Sequence, residues 1–277
     1  MDVQAGRHAS AERVLREAVE SAESLGNDGL TARILAVQGM NEADRGRHVT
    51  AATLLSRSAE SARRSGKSRQ QAWSLGVLAR SLLLSGSRVQ ARAAADASVQ
   101  LARQERWNAF LPWPQVLRAE ASMQAGDWDA AREDVEEAFA LGCELGDPCW
   151  EGMAGRALAL IATHDGDHRA ARTWITEARR RCDRVPDRYA WVSAYIGLAD
   201  VELSWGDRVI AAAARLHDDA VRADLPEFLA WALVHQAESG DHSQVPLARS
   251  LAADIANPVL HDRIQALDGG PGAGATA

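Results

Sequence analysis

Gly66-Lys67-Ser68 closes the stretch SARRSGKS with the ending of a phosphate-binding loop. Such a loop needs a glycine five residues before Gly66 and a strand leading in. Position 61 is Ser61 and a helical pattern precedes it, so the segment reads as a helix break. His8, His48 and His168 share one register with Arg88, Trp128 and Arg208, and His242 joins them in a last, shortened copy. A metal site needs several ligands within ~2–2.3 Å of one ion, whereas this row spreads them along the chain. The row reads as bulky amphipathic residues lying over turns. His164-Asp165-Gly166-Asp167-His168 is denser in ligand types but matches no known ligand spacing and coincides with a turn.

Arg179, Arg180, Arg181, Arg184 and Arg188 form one basic cluster. Cations are favoured at a helix C-terminus, so a solvated helix end is expected there, with an acidic partner as the alternative. Cys143, Cys149 and Cys182 have no neighbouring His/Asp constellation to activate a nucleophile. They are also too few and irregularly spaced for a disulfide framework or zinc ribbon. No catalytic residue, metal ligand or cofactor site is expected, and the chain does not read as an enzyme.

What positions these residues is a repeat. Glycine recurs at Gly6, Gly46, Gly86, Gly126, Gly166 and Gly206, every 40 residues, with a shortened copy at Gly240. Five residues after the first six stand Ala11, Ala51, Ala91, Ala131, Ala171 and Ala211. Seven before the turns from Gly46 to Gly206 stand Gly39, Ala79, Ala119, Ala159 and Ala199. Midway lie Gly26, Gly66, Arg106, Gly146, Pro186 and Pro226, five of which end helices or cannot continue them. The unit is therefore two helices of ~16 residues, rods about 24 Å long. Val135, Ala138, Phe139 and Leu141 place an apolar stripe at helical spacing. Asp147-Pro148 reads as an N-cap followed by proline at N1, and Ser68 and Asp187 as the same device. Small residues on both helices beside each turn allow close approach, and hairpins of this kind must stack to cover their apolar faces.

The composition agrees with a packed helical protein. Of 277 residues 47% are hydrophobic and 25% charged, and nine of the few aromatics are Trp. The net charge of −7 argues against a nucleic-acid surface, which needs a basic stripe. No apolar run is long enough for a membrane span, and the N-terminus lacks a signal-peptide core, so a cytoplasmic location is expected. The expected organisation is one domain over residues 1–267 and a disordered tail over 268–277.

Small residue, Gly seven later and Ala five further on resembles the tetratricopeptide signature, as in Ala119…Gly126-Asp127-Trp128…Ala131 and Ala159…Gly166-Asp167-His168…Ala171. The period is longer than that family's usual 34 residues, implying longer helices. The resemblance implies an all-α solenoid of helical hairpins wound into a right-handed superhelix. GDWDAAREDVEEAFALGCELGDPCWEG and ARRRCDRVPDRYAWVSAY are further similar to the C-terminal repeat region of large bacterial ATP-dependent transcriptional regulators of the LuxR-type, MalT-like and antibiotic-regulatory groups. That likeness implies a regulatory module that binds a protein or peptide segment, or a small inducer, rather than DNA. The first turn, at Gly6, lies within six residues of Met1, so the first repeat is expected to lack its opening helix and to be uncapped, open to self-association.

In tetratricopeptide solenoids the first helix of each hairpin lines a concave groove. Carried over by position, its lining comprises Trp73, Arg80, Trp113, Glu120, Gln124, Arg156, Asp200 and Trp231. Trp and Arg are typical anchors for a partner; the competing reading is that the tryptophans fill space between long helices. A stand-alone scaffold or dimerisation module without a ligand pocket is the rival to a binding module.

Overall fold

A computed structural model describes Val3 and residues 7–185 and 189–268 of the chain. Gly6, Pro186, Asp187, Arg188 and the tail from residue 269 lie outside them. The helices are α1 (His8–Ser24), α2 (Asp28–Asp44), α3 (His48–Arg64), α4 (Ser68–Leu84), α5 (Arg88–Gln104), α6 (Pro112–Gln124), α7 (Trp128–Leu145), α8 (Pro148–His164), α9 (His168–Cys182), α10 (Ala190–Glu202), α11 (Asp207–Arg222), α12 (Pro226–Glu238), α13 (Val245–Ala252) and α14 (Pro258–Asp268). Among the described residues there is no strand, and no helix is long and apolar enough to cross a membrane. Each helix packs on its sequence neighbours, and each even-numbered helix from α2 to α12 also packs on the next even-numbered one. The even helices therefore form one continuous inner layer, and the odd ones the layer behind it.

Backbone chemistry at the turns makes the period. Gly46, Gly86, Gly126 and Gly166 have φ between 75° and 82°. In that left-handed conformation the next N–H turns back onto the carbonyl five residues earlier, as in Arg47 to Glu42 and Asp167 to Ala162, both 2.9 Å. The same bond recurs at the second set of breakers, but there the left-handed residue is twice not glycine: Arg106 at φ 48° and Asp224 at φ 49°. Pro226 is the first residue of α12 rather than the end of α11. Arg106→Gly should therefore raise stability by about 0.5–1 kcal/mol, read as a higher Tm, because glycine adopts φ > 0 without strain.

Ala79, Ala119, Ala159 and Ala199 on the inner helices and Ala51, Ala91 and Ala131 on the outer ones have no exposed surface. At Gly39 even a methyl would not fit, since its carbon would lie 2.6 Å from Leu55 Cγ. The sixth turn departs from the pattern. There α10 stops at Glu202 and α11 begins at Asp207, so Ala211 is exposed and Ala212 and Ala213 are buried instead. Asp127, Asp147 and Asp167 cap α7, α8 and α9 by accepting first-turn N–H bonds. Ser68 is the first helical residue of α4, preceded by Lys67 without a side-chain cap, and so is not the device expected of it.

The stack closes on itself. Ala256 N–H donates to Gly46 O at 3.3 Å, bringing the α13–α14 connection onto the α2–α3 turn. His48 Nε2, at the start of α3, lies 2.9 Å from Glu227 Oε2 of α12, whose other oxygen accepts from Asn257 Nδ2 at 2.7 Å. All three side chains are buried. Burial alone would raise the Glu227 carboxyl, but His48 and its hydrogen bonds hold it below the ordinary glutamate value. A depressed native value stabilises the fold above the unfolded value of about 4.3 and is lost as pH falls through the native one. The melting temperature of the wild type should thus fall more steeply below about pH 4.3 than that of Glu227→Gln.

Candidate site on the inner face

The inner layer carries two acid–arginine pairs, each 36 residues apart and each completed by a tyrosine, one just before α10 and one in the middle of it. Arg80 Nη2 donates to Asp44 Oδ1 at 2.7 Å, and Tyr189 bridges the two, accepting from Arg80 and donating to Asp44, both at 2.6 Å. Arg156 Nη1 donates to Glu120 Oε1 at 2.7 Å, and the Tyr195 hydroxyl donates to the other oxygen of Glu120. Burial pushes both phenols well above their usual value, so they stay protonated and act as donors. The Arg156 guanidinium also lies over the Tyr195 ring, 3.6 Å from its centroid. Arg80 does the same to Trp191 at 4.3 Å.

The eight positions expected to line a groove fall into three environments. Arg80, Trp113 and Trp231 are 1%, 3% and 4% exposed and lie in the core. Trp113 meets Trp150 and Trp191, and Trp191 in turn meets Tyr195 and Phe228, with ring centroids 4.5–6.0 Å apart. This aromatic cluster fills the space between α6, α8, α10 and α12. Trp73, the sequence equivalent of Trp113, stays half-buried beside Trp107 at the other end of the layer. Asp200 is half-buried and bonds Arg179 and Arg215.

Glu120, Gln124 and Arg156 come together. With Met123, Leu160 and Tyr195 they line an open cavity of about 430 Å³ at the C-terminal ends of α6 and α8. One wall is Trp128 stacked on His164, centroids 3.9 Å apart and planes 6° off parallel. Gln124 is exposed, whereas Glu120 and Arg156 are buried and pre-positioned by each other and by Tyr195. The cavity thus presents a rigid aromatic wall, an apolar floor and a few fixed polar atoms, the arrangement typical of ligand pockets. The position of Glu120, Gln124 and Arg156 on the inner helices was legible in the sequence; that of Tyr195 beside them was not. Trp128 and His164 were missed as a pair because they stand 36 residues apart on successive turns.

The other chemistry-bearing residues have structural partners. Asp165 pairs with Arg132 at 2.6 Å, and Asp167 caps α9. Arg180 bonds Glu177, while Arg181 and Arg184 share Glu151. The histidine row divides: His8 and His48 are buried on Asn41 and Glu227, while His168 and His242 are exposed. Cys182 is buried, Cys149 is half-buried and Cys143 is exposed, 3.4 Å from Arg181. Among the described residues no three His, Cys, Asp or Glu side chains gather as metal ligands.

Fold and inner layer together define an all-α solenoid of tetratricopeptide-like helical hairpins. The structure is similar to that of a Rap protein complexed with competence and sporulation factor, with a TM-score of 0.68 and 15% identity over 91% of this chain and 74% of that one. It is also similar to the apo form of RapI, with a TM-score of 0.63 and 12% identity over 94% and 93% of the two chains. No protein-family model matches the sequence, and no curated protein sequence matches it.

Proposed function

We propose that the chain is a non-enzymatic interaction module that captures a peptide or protein segment in the cavity formed by α6, α8 and α10. The observation that carries this reading is the cavity itself. Its polar atoms are held in place by buried partners before any ligand arrives, which lowers the ordering cost of binding. The Trp128–His164 wall offers the flat aromatic contact that dominates many interfaces. A solved structure of the same fold is complexed with competence and sporulation factor, which makes capture of a partner a natural use of the architecture. Glu120 and Arg156 act as positioning and recognition groups rather than as acid and base, since each is committed to the other and to Tyr195. The captured segment would signal to a regulatory partner, in line with the sequence resemblance to regulator repeat regions.

The test is selection of displayed random heptapeptides on the full chain, followed by titration of the recovered peptides. Trp128→Ala should weaken their binding tenfold or more, the loss expected for an interface anchor. Recovery of no peptide, or of none whose binding Trp128→Ala weakens, would remove the reading.

A further inference from the structure

A second cleft lies on the other end of the inner layer, where α1, α2 and α4 meet the segment before α6. Two adjoining cavities of about 460 and about 310 Å³ share Arg33, Arg69 and Gln70 along their common edge. The larger has apolar walls, with Leu15, Ile34, Val37, Trp73 and Trp107 around it. Trp107 is fixed by stacking on Phe110 at 4.4 Å, and the Arg69 guanidinium lies 5.7 Å from its ring centroid. The smaller cavity is cationic: Arg33, Lys67 and Arg69 face it, and Glu105 is its one acid.

Glu105 is already engaged by Arg69, which donates to its carbonyl at 3.2 Å and comes within 3.8 Å of its carboxylate. Among the described residues the side chains of Arg33 and Lys67 have no ion-pair or hydrogen-bond partner, whereas most arginines of the inner face, Arg80 and Arg156 among them, are matched to acids. Three like charges around one cavity repel one another, and an anion between them converts that repulsion into attraction. Beside it, two tryptophans leave an apolar trough uncovered. The complementary molecule has a large apolar group and, one or two residues away, a negative charge.

Given that the chain is a peptide-binding module, we propose that this cleft is a second site, which takes a peptide with a large apolar side chain between Trp73 and Trp107 and a carboxylate among Arg33, Lys67 and Arg69. The carboxylate can be the peptide's own C-terminus or an Asp or Glu side chain. A single peptide need not reach both sites, because this cleft uses the N-terminal halves of α2 and α4 and the first cavity the C-terminal halves of α6 and α8.

The experiment is a selection of random heptapeptides in two formats, one with a free C-terminus and one with the C-terminus amidated. Wild type, Arg33→Glu/Lys67→Glu, the neutral Arg33→Gln/Lys67→Gln and Trp128→Ala serve as targets. Both charged positions are exposed and unpaired, so these variants should keep the wild-type circular dichroism. Wild type should enrich peptides carrying a carboxylate next to Leu, Phe, Trp or Met. Their affinity should fall tenfold or more on charge reversal, fall less on neutralisation and survive Trp128→Ala. Enrichment only in the free-ended format assigns the terminal carboxylate; equal enrichment in both assigns a side chain. If every enriched peptide lacks an acid or is indifferent to charge reversal, the second site is overturned. If they instead fail on Trp128→Ala alone, the first cavity stands and this one falls. No enrichment on wild type overturns both.

Discussion

Arg80→Ala should cost about 3–5 kcal/mol, the usual penalty for removing one partner of a buried ion pair. Arg80 and Asp44 are each 1% exposed, so solvent does not screen their interaction. Without the guanidinium the Asp44 carboxylate would keep only the Tyr189 hydroxyl, at 2.6 Å. Trp191 would lose the cation lying over its face at 4.3 Å. The companion variant Asp44→Asn/Arg80→Met should recover part of the loss, because no buried charge is then left without its partner and the amide oxygen still accepts from Tyr189. Urea denaturation of the three proteins gives both numbers. An Arg80→Ala loss below about 1 kcal/mol would mean that the pair is solvated and the centre of the solenoid is open.

Trp191→Ala should be of similar size, about 3–5 kcal/mol. Trp191 is 1% exposed and is the hub of the aromatic cluster, touching Trp113, Tyr189, Tyr195 and Phe228. Its indole N–H has no hydrogen-bond partner among the described residues. Trp191→Phe therefore discards an unsatisfied donor while keeping most of the ring, and should cost less than about 1.5 kcal/mol. Because Trp191 and Arg80 are in contact, combining Trp191→Ala with Arg80→Ala should cost less than the sum. Thermal or denaturant unfolding with a far-UV signal is the readout.

The period of the chain was legible because it is a local property. A left-handed glycine at Gly46, Gly86, Gly126 and Gly166, with alanines at fixed distances, follows from turn geometry and needs no knowledge of the rest of the molecule. The failures are equally local in origin. Arg106 and Asp224 occupy left-handed positions that composition gives to glycine, and the sixth turn shifts by one residue, from Ala211 to Ala212. Closure was not legible at all. His48 and Glu227 are 179 residues apart, and their meeting depends on the rotation each hairpin adds to the last, which no residue spacing encodes. The same rotation decides that Trp113 is core while its equivalent Trp73 lines a cleft. Of the eight groove positions, the sequence could specify the layer but not the depth.

The contacts of His48 with Glu227 and of Ala256 with Gly46 close the solenoid around a filled centre. This closure can be read with spin labels at Val49 and Val259, both exposed and each within a few residues of the contacts of Gly46 with Ile255 and Gly86 with Pro258. Six steps between inner helices, from α2 to α14, at 8–10 Å each, would separate the ends of a straight stack by roughly 50–60 Å. A single narrow distance well below that, unchanged on dilution of the protein, is the expected result. A broad distribution centred near the straight-stack value would contradict it.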